Sequence, residues 1–319
     1  MALNSIKLVN TGSIQQMQDV PVTVAAGACS TSCALVNNGN QYINYLLNAS
    51  SFWRYNVLTD TWQQLANPKG AVSFVAGCSV VYDPNVGTMG GVWLFTPKTG
   101  SPYCILQVYD IALDTWTTKA IPSGLAVAWE TAATLLVTPT QAHASGDNDA
   151  IYLAGNNATT WYKYSKSGDS WAEIATALPA AAGAACKLIW EYGKDPNKIL
   201  YIRGALTSAM YEYDLTAGTF GSALAFQPST ETYGSGSSWA YNGVDRVFVT
   251  KEATRRIYSL NLAALRMRPF GTIPYSGGVA REGDKMTYVA DSNSEWIYLT
   301  NNSASQFYRF EIIPAAGSD

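Results

Sequence analysis

The chain has 319 residues, of which 48% are hydrophobic and only 13% charged, and its formal net charge is −3. So weak a charge offers no general attraction to nucleic acid or an anionic membrane, no stretch approaches the ~20 apolar residues of a spanning helix, and the opening MALNSIKLVNTG lacks the basic start and apolar run of a signal peptide. Five cysteines (Cys29, Cys33, Cys78, Cys104 and Cys186) form no CxxC pair, which argues against a disulfide framework or zinc ribbon and predicts buried, reduced thiols.

Residues 1–11 fit no repeating pattern and are expected to form an N-terminal arm. The stretch GSIQQMQDVP (12–21) parallels a later DTWQQLANP, with Ile14 where the later segment has Trp62. From there the chain repeats. A small-residue strand (SCALV) leads to a second strand (QYINYLL), then to an aromatic strand ending at Tyr55. A polar turn follows, and then a strand carrying Trp62. The second unit repeats this order as GCSVVY, GVWLFT, Tyr109 and Trp116; the third as TAATLLV, AIYLAG, Tyr164 and Trp171; the fourth as ACKLIWEY, KILYIRG, Tyr213 and Phe220. The fifth (SSWAY, RVFVTK, Leu260, Met267) and sixth (MTYVA, EWIYLT, Phe310) drift further.

The anchors Tyr55, Tyr109, Tyr164, Tyr213, Leu260 and Phe310 are spaced by 54, 55, 49, 47 and 50 residues. An Asp lies five residues after each of the first three anchors (Asp60, Asp114, Asp169), and the Trp-type position lies seven after. Four strands per unit at a period near 50 residues specify a propeller of six blades. The sixth unit runs out of chain before its fourth strand, so residues 12–21 are expected to supply it and close the ring. The expected fold is therefore all-β: one six-bladed β-propeller over residues 12–319, four antiparallel strands per blade. Its repeated rings (Tyr55, Trp62, Tyr109, Trp116, Tyr164, Trp171, Tyr213, Phe220) are expected to pack blade against blade.

The order of parts, clearest in YNVLTDTW and YDIALDTW, resembles the kelch repeat, without that family's double glycine after the second strand. The resemblance implies a kelch-like propeller. The Asn-, Thr-, Ala- and Gly-rich, Lys-poor composition also resembles that of bacteriophage virion proteins, which implies a virion location and a place in a tail or head-to-tail part.

Candidate chemistry is sparse. His143 is the sole histidine, which leaves no His-based triad or multi-histidine metal site. It shares the loop PTQAHASGDNDA with Asp147 and Asp149, a carboxylate pair with no partner acid or nucleophile at a defined spacing. No phosphate-cradling glycine loop is present, so neither a cofactor nor a metal is expected, and no enzymatic activity. The pattern breaks in the fifth unit, KEATRRIYSLNLAALRMRP, where Arg255, Arg256, Arg266 and Arg268 gather beside few acids; such a cluster suits an acidic partner surface. Loops 83–91 and 139–150 join first to second strands in neighbouring units and should emerge on one rim. The expected function is a non-catalytic structural or interaction propeller, docking other proteins of a larger assembly through rim loops and the N-terminal arm, with multiple copies arranged in a ring. The alternative is a glycan-binding lectin or receptor-binding module, which requires exposed aromatic rings.

Overall fold

The computed structural model describes residues 11–24, 29–37, 40–48, 51–70, 78–97, 104–121, 133–137, 150–155, 158–191, 194–204, 206–227, 231–235, 237–274, 285–290, 294–301 and 305–313. These form strands only. Strand β1 (Thr11–Gln16) comes first. Blade 1 follows with β2 (Cys29–Asn37), β3 (Asn40–Asn48), β4 (Ser51–Asn56) and β5 (Thr61–Gln64); blade 2 has β6 (Ser79–Asp83), β7 (Gly91–Pro97), β8 (Cys104–Asp110) and β9 (Thr115–Lys119). Blade 3 comprises β10 (Ala133–Val137), β11 (Ala150–Gly155), β12 (Tyr162–Ser165) and β13 (Ser170–Glu173), and blade 4 β14 (Lys187–Trp190), β15 (Lys198–Ile202), β16 (Met210–Asp214) and β17 (Thr219–Phe220). Blade 5 holds β18 (Trp239–Tyr241), β19 (Arg246–Thr250), β20 (Arg256–Asn261) and β21 (Arg266–Thr272); β22 (Lys285–Ala290), β23 (Glu295–Thr300) and β24 (Phe307–Ile312) begin blade 6.

Each blade is a four-stranded antiparallel meander, and in blade 6 the fourth strand is β1, paired with β24. The register sets Ile14 opposite Phe310 just as Trp62 lies opposite Tyr55. The N-terminal strand therefore closes a six-bladed β-propeller, as the sequence pattern required, and leaves β24 no open edge. The first strands of blades 1 and 2, 2 and 3, 3 and 4, 5 and 6, and 6 and 1 neighbour one another, so the first strands line the axis. Antiparallel order then sends the first-to-second and third-to-fourth connections to one rim, here the turn rim, and the remaining connections to the opposite rim.

The repeated anchor and its partner seven residues on are directly paired across the third and fourth strands: Tyr55 with Trp62, Tyr109 with Trp116, Tyr164 with Trp171, Tyr213 with Phe220, and Leu260 with Met267. The four aromatic pairs have ring centroids 4.9–5.1 Å apart. Between blades, each pair receives the residue three before the anchor of the preceding blade. Phe307 meets Tyr55 at 4.8 Å, Phe52 meets Tyr109 at 5.0 Å, and Trp161 meets Tyr213 at 4.8 Å. Leu106, Met210 and Ile257 fill the same place in the clusters that join blades 2 and 3, 4 and 5, and 5 and 6. All six of these residues are at most 1% exposed. Alternation explains this, because positions three apart point to opposite faces of a strand, so one faces the blade behind and the other the blade ahead.

Candidate functional site

The turn that follows each anchor is built from the same local chemistry. The side chain one residue after the anchor folds back on the turn: Asn56 Oδ1 accepts from the Leu58 and Thr59 amides, Asp110 Oδ1 from Ala112 and Leu113, and Asp214 Oδ1 from Thr216 and Ala217. Five residues after the anchor the backbone is left-handed in blades 1 to 5, at Asp60, Asp114, Asp169, Gly218 and Leu265, with φ between 43° and 67°. Asp tolerates that conformation better than most residues, which explains its place in three blades and the Gly in a fourth.

The three Asp side chains also hold neighbouring blades together. Asp60 Oδ1 accepts from Tyr55 OH at 2.8 Å and from the Gln18 amide at 2.9 Å, and Trp62 Nε1 donates to the Gln18 carbonyl at 3.1 Å. Asp114 repeats this with Tyr109 (2.6 Å) and the Ala66 amide (2.9 Å), and Trp116 donates to Ala66 O. Asp169 does so with Tyr164 (2.6 Å) and the Ala120 amide (3.0 Å), and Trp171 donates to Ala120 O. Those two donors hold the Asp169 carboxyl below its usual range, against a small opposing effect of burial. Blade 4 substitutes a Thr176 hydroxyl donating to Gly218 O at 2.6 Å, and blade 5 a backbone exchange in which Gln227 donates to Leu265 O and accepts from Met267. Gln18 belongs to the segment that closes blade 6, so the closing strand is gripped by the same device as the interior blades.

The turn rim of this disc carries the exposed features. Leu58 and Leu113 project from the turns of blades 1 and 2, at 59% and 69% exposure. Beside them lies the loop from Asp83 to Gly91. Buried Asp83 anchors that loop, accepting from Trp93 Nε1 and the Asn85 amide and pairing with Lys166 of blade 3 at 3.0 Å. Gly91 is fixed by close approach, since a Cβ there would sit 2.4 Å from the Tyr109 carbonyl. His143, Asp147 and Asp149 lie outside the described residues, as do residues 1–10 of the arm.

The four arginines divide between the two rims. Arg266 and Arg268 are exposed on the outermost strand β21, flanking buried Met267 at the Trp-type position. Pro269 follows them on this edge, where a missing amide donor costs no ladder bond. An open cavity of about 540 Å³ lies between Ala225, Gln227 and the segment 264–268. Arg256 instead pairs in register with Thr272, at the far end of β20 from the Asn261–Arg266 pair, roughly 17 Å away at ~3.4 Å per residue. There Arg256 contacts Tyr258 OH at 3.4 Å, Tyr258 donates to Glu231 at 2.8 Å, and Lys251 pairs with Glu231. Burial raises the Glu231 carboxyl, but the Lys251 and Tyr258 hydrogen bonds outweigh it and leave the pKa lowered. Arg255, next along the chain, is exposed on that same opposite rim.

The residues three before each anchor escaped the sequence reading. Phe52, Leu106, Trp161, Met210, Ile257 and Phe307 share no chemistry beyond being apolar, and the only available signal was their constant offset. Among the residues whose side-chain exposure is described, no Trp, Tyr or Phe is exposed; the exposed large hydrophobics are Ile14, Leu58, Leu113, Leu206, Val244 and Ile313.

No family model and no curated protein matches the chain. Among solved structures, a structural genomics protein of unknown function from Bacteroides thetaiotaomicron is similar over 95% of this chain and 74% of its own, with a TM-score of 0.61 and 9% identity. At that identity the likeness bears on the fold alone.

Proposed function

We propose that this propeller is a non-catalytic structural component of a larger protein assembly, present in several copies, that docks an acidic partner surface through its turn rim and the adjoining β21 edge. The observation that carries this reading is the exposed Arg266 and Arg268 pair beside an open cavity, on a disc made stiff by repeated blade-to-blade hydrogen bonds. Exposed Leu58 and Leu113 on the same rim add an apolar contribution. The composition supports a more specific form of the proposal, a kelch-like virion protein of a bacteriophage. A propeller fold is consistent with protein interaction and does not by itself select a partner.

Electron cryo-microscopy of the assembly isolated from its native source through a tagged chain tests the reading. Copies should sit at symmetry-related positions with the turn rim or β21 at the contact, and Arg266→Glu combined with Arg268→Glu should reduce incorporation at least about tenfold, the effect of like charges facing across an interface. A chain found only as a free monomer, or one docked by the opposite rim, counts against it.

A further inference from the structure

On the opposite rim, six residues of the innermost strands occupy one height of the axial channel. Cys29 pairs with Leu46, Ser79 with Phe95, Thr134 with Ala154, Lys187 with Ile202 and Lys285 with Thr300. Each lies three residues before the innermost-strand residue that faces the anchor's own partner. Ser238 takes the place in blade 5, exchanging hydrogen bonds with Thr250. The described side chains at this height are therefore a thiol (Cys29), two hydroxyls (Ser79 and Ser238) and two ammonium groups (Lys187 and Lys285), in a layer where an interior would ordinarily be apolar.

The two lysines stand at this height on the innermost strands of blades 4 and 6. Lys187 of blade 4 is within electrostatic range of Lys285 of blade 6 and of Cys29 of blade 1, and Cys29 is likewise within range of both lysines. Blades 1 and 4 are diametrically opposite in a ring of six, so side chains on both can influence each other only across the channel. Both lysines are partly buried, and among the described residues no carboxylate pairs with either. Burial and then Lys285 push the Lys187 ammonium down. Two mutually repelling cations with no carboxylate partner among the described residues cost free energy that a bound anion would offset.

From this arrangement we infer that the axial mouth on the opposite rim binds a small divalent oxyanion of the phosphate class, held between Lys187 and Lys285. This site is separate from the turn rim and does not rest on the function proposed for that rim.

Isothermal titration calorimetry with inorganic phosphate, against chloride at matched ionic strength and pH, tests the assignment. The wild-type chain should bind one phosphate and melt at a higher temperature with it. Lys187→Met or Lys285→Met should each weaken binding about tenfold or more, as expected for loss of one charge-assisted contact, and Lys187→Arg should retain it. Phosphate should also protect Lys187 and Lys285 from acetylation in the wild-type chain, a readout that needs no variant to fold. Absence of phosphate-specific heat, phosphate binding by the double Met variant equal to wild type, or no protection of the two lysines overturns the inference.

Discussion

At the scale of single residues, the left-handed Asp combines two roles that substitution can separate. Asp114 relieves a strained turn position and also accepts hydrogen bonds from Tyr109 and the Ala66 amide. Asp114→Ala should destabilise by about 1–3 kcal/mol, because it leaves two donors without their partner and keeps a Cβ at positive φ. Asp114→Gly should cost less, since it removes the strain and reproduces what Gly218 does in blade 4; denaturant midpoints of the two variants check the order. Asp169 has a pH signature. Its folded pKa is lowered below 3.8, so its contribution is present above that value and is lost as pH falls through the lower folded one. Asp169→Asn should flatten that acid limb in melting curves recorded between about pH 5 and 2. The thiols act in the opposite direction. Burial raises Cys29, Cys104 and Cys186 to about 12, and Cys78 well above 9.0. The unfolded thiols ionise near 9.0 while the folded ones stay protonated, so stability should fall as pH rises above about 9. At pH 8 these four should resist a thiol reagent until the chain is unfolded.

At the scale of elements, the closing strand is the most informative. β1 supplies the fourth strand of blade 6, Gln15 accepts from Arg309 Nε at 2.7 Å, and Gln18 enters the blade 1 turn. Removing residues 1–18 should lower the melting temperature, broaden the transition and promote concentration-dependent association through the exposed β24 edge, as sedimentation velocity would show. This closure was legible in the sequence because SIQQ (13–16) repeats TWQQ (61–64) position for position. The αL turn was legible in part: Asp60, Asp114 and Asp169 marked it, whereas Leu265 adopts the same φ with a side chain that carries no turn signal. There the blade 4 exit segment holds Leu265 and Met267 through backbone bonds, so tertiary contact replaces local propensity.

At the scale of the whole molecule, the ring has two unlike ends. The turn rim presents Leu58, Leu113 and Arg266, and the opposite rim carries the Glu231, Lys251 and Arg256 group and, at the axis, Lys187 and Lys285. Charge reversal at Arg266 and Arg268 should therefore impair assembly and leave phosphate binding unchanged, while Lys187→Met should do the reverse. Measuring incorporation and calorimetric binding on both variants checks that separation. By itself the sequence determined the period, the four strands, the six blades, the closing segment and the paired anchor, because all of these follow from short-range alternation and turn chemistry repeated along the chain. Only the tertiary structure decided which face of each strand meets which neighbouring blade, that Arg255 and Arg256 part company with Arg266 and Arg268, and that Lys187 and Lys285 converge. The last of these depends on residues about a hundred positions apart being brought to one axis, and no local pattern records a distance across the ring.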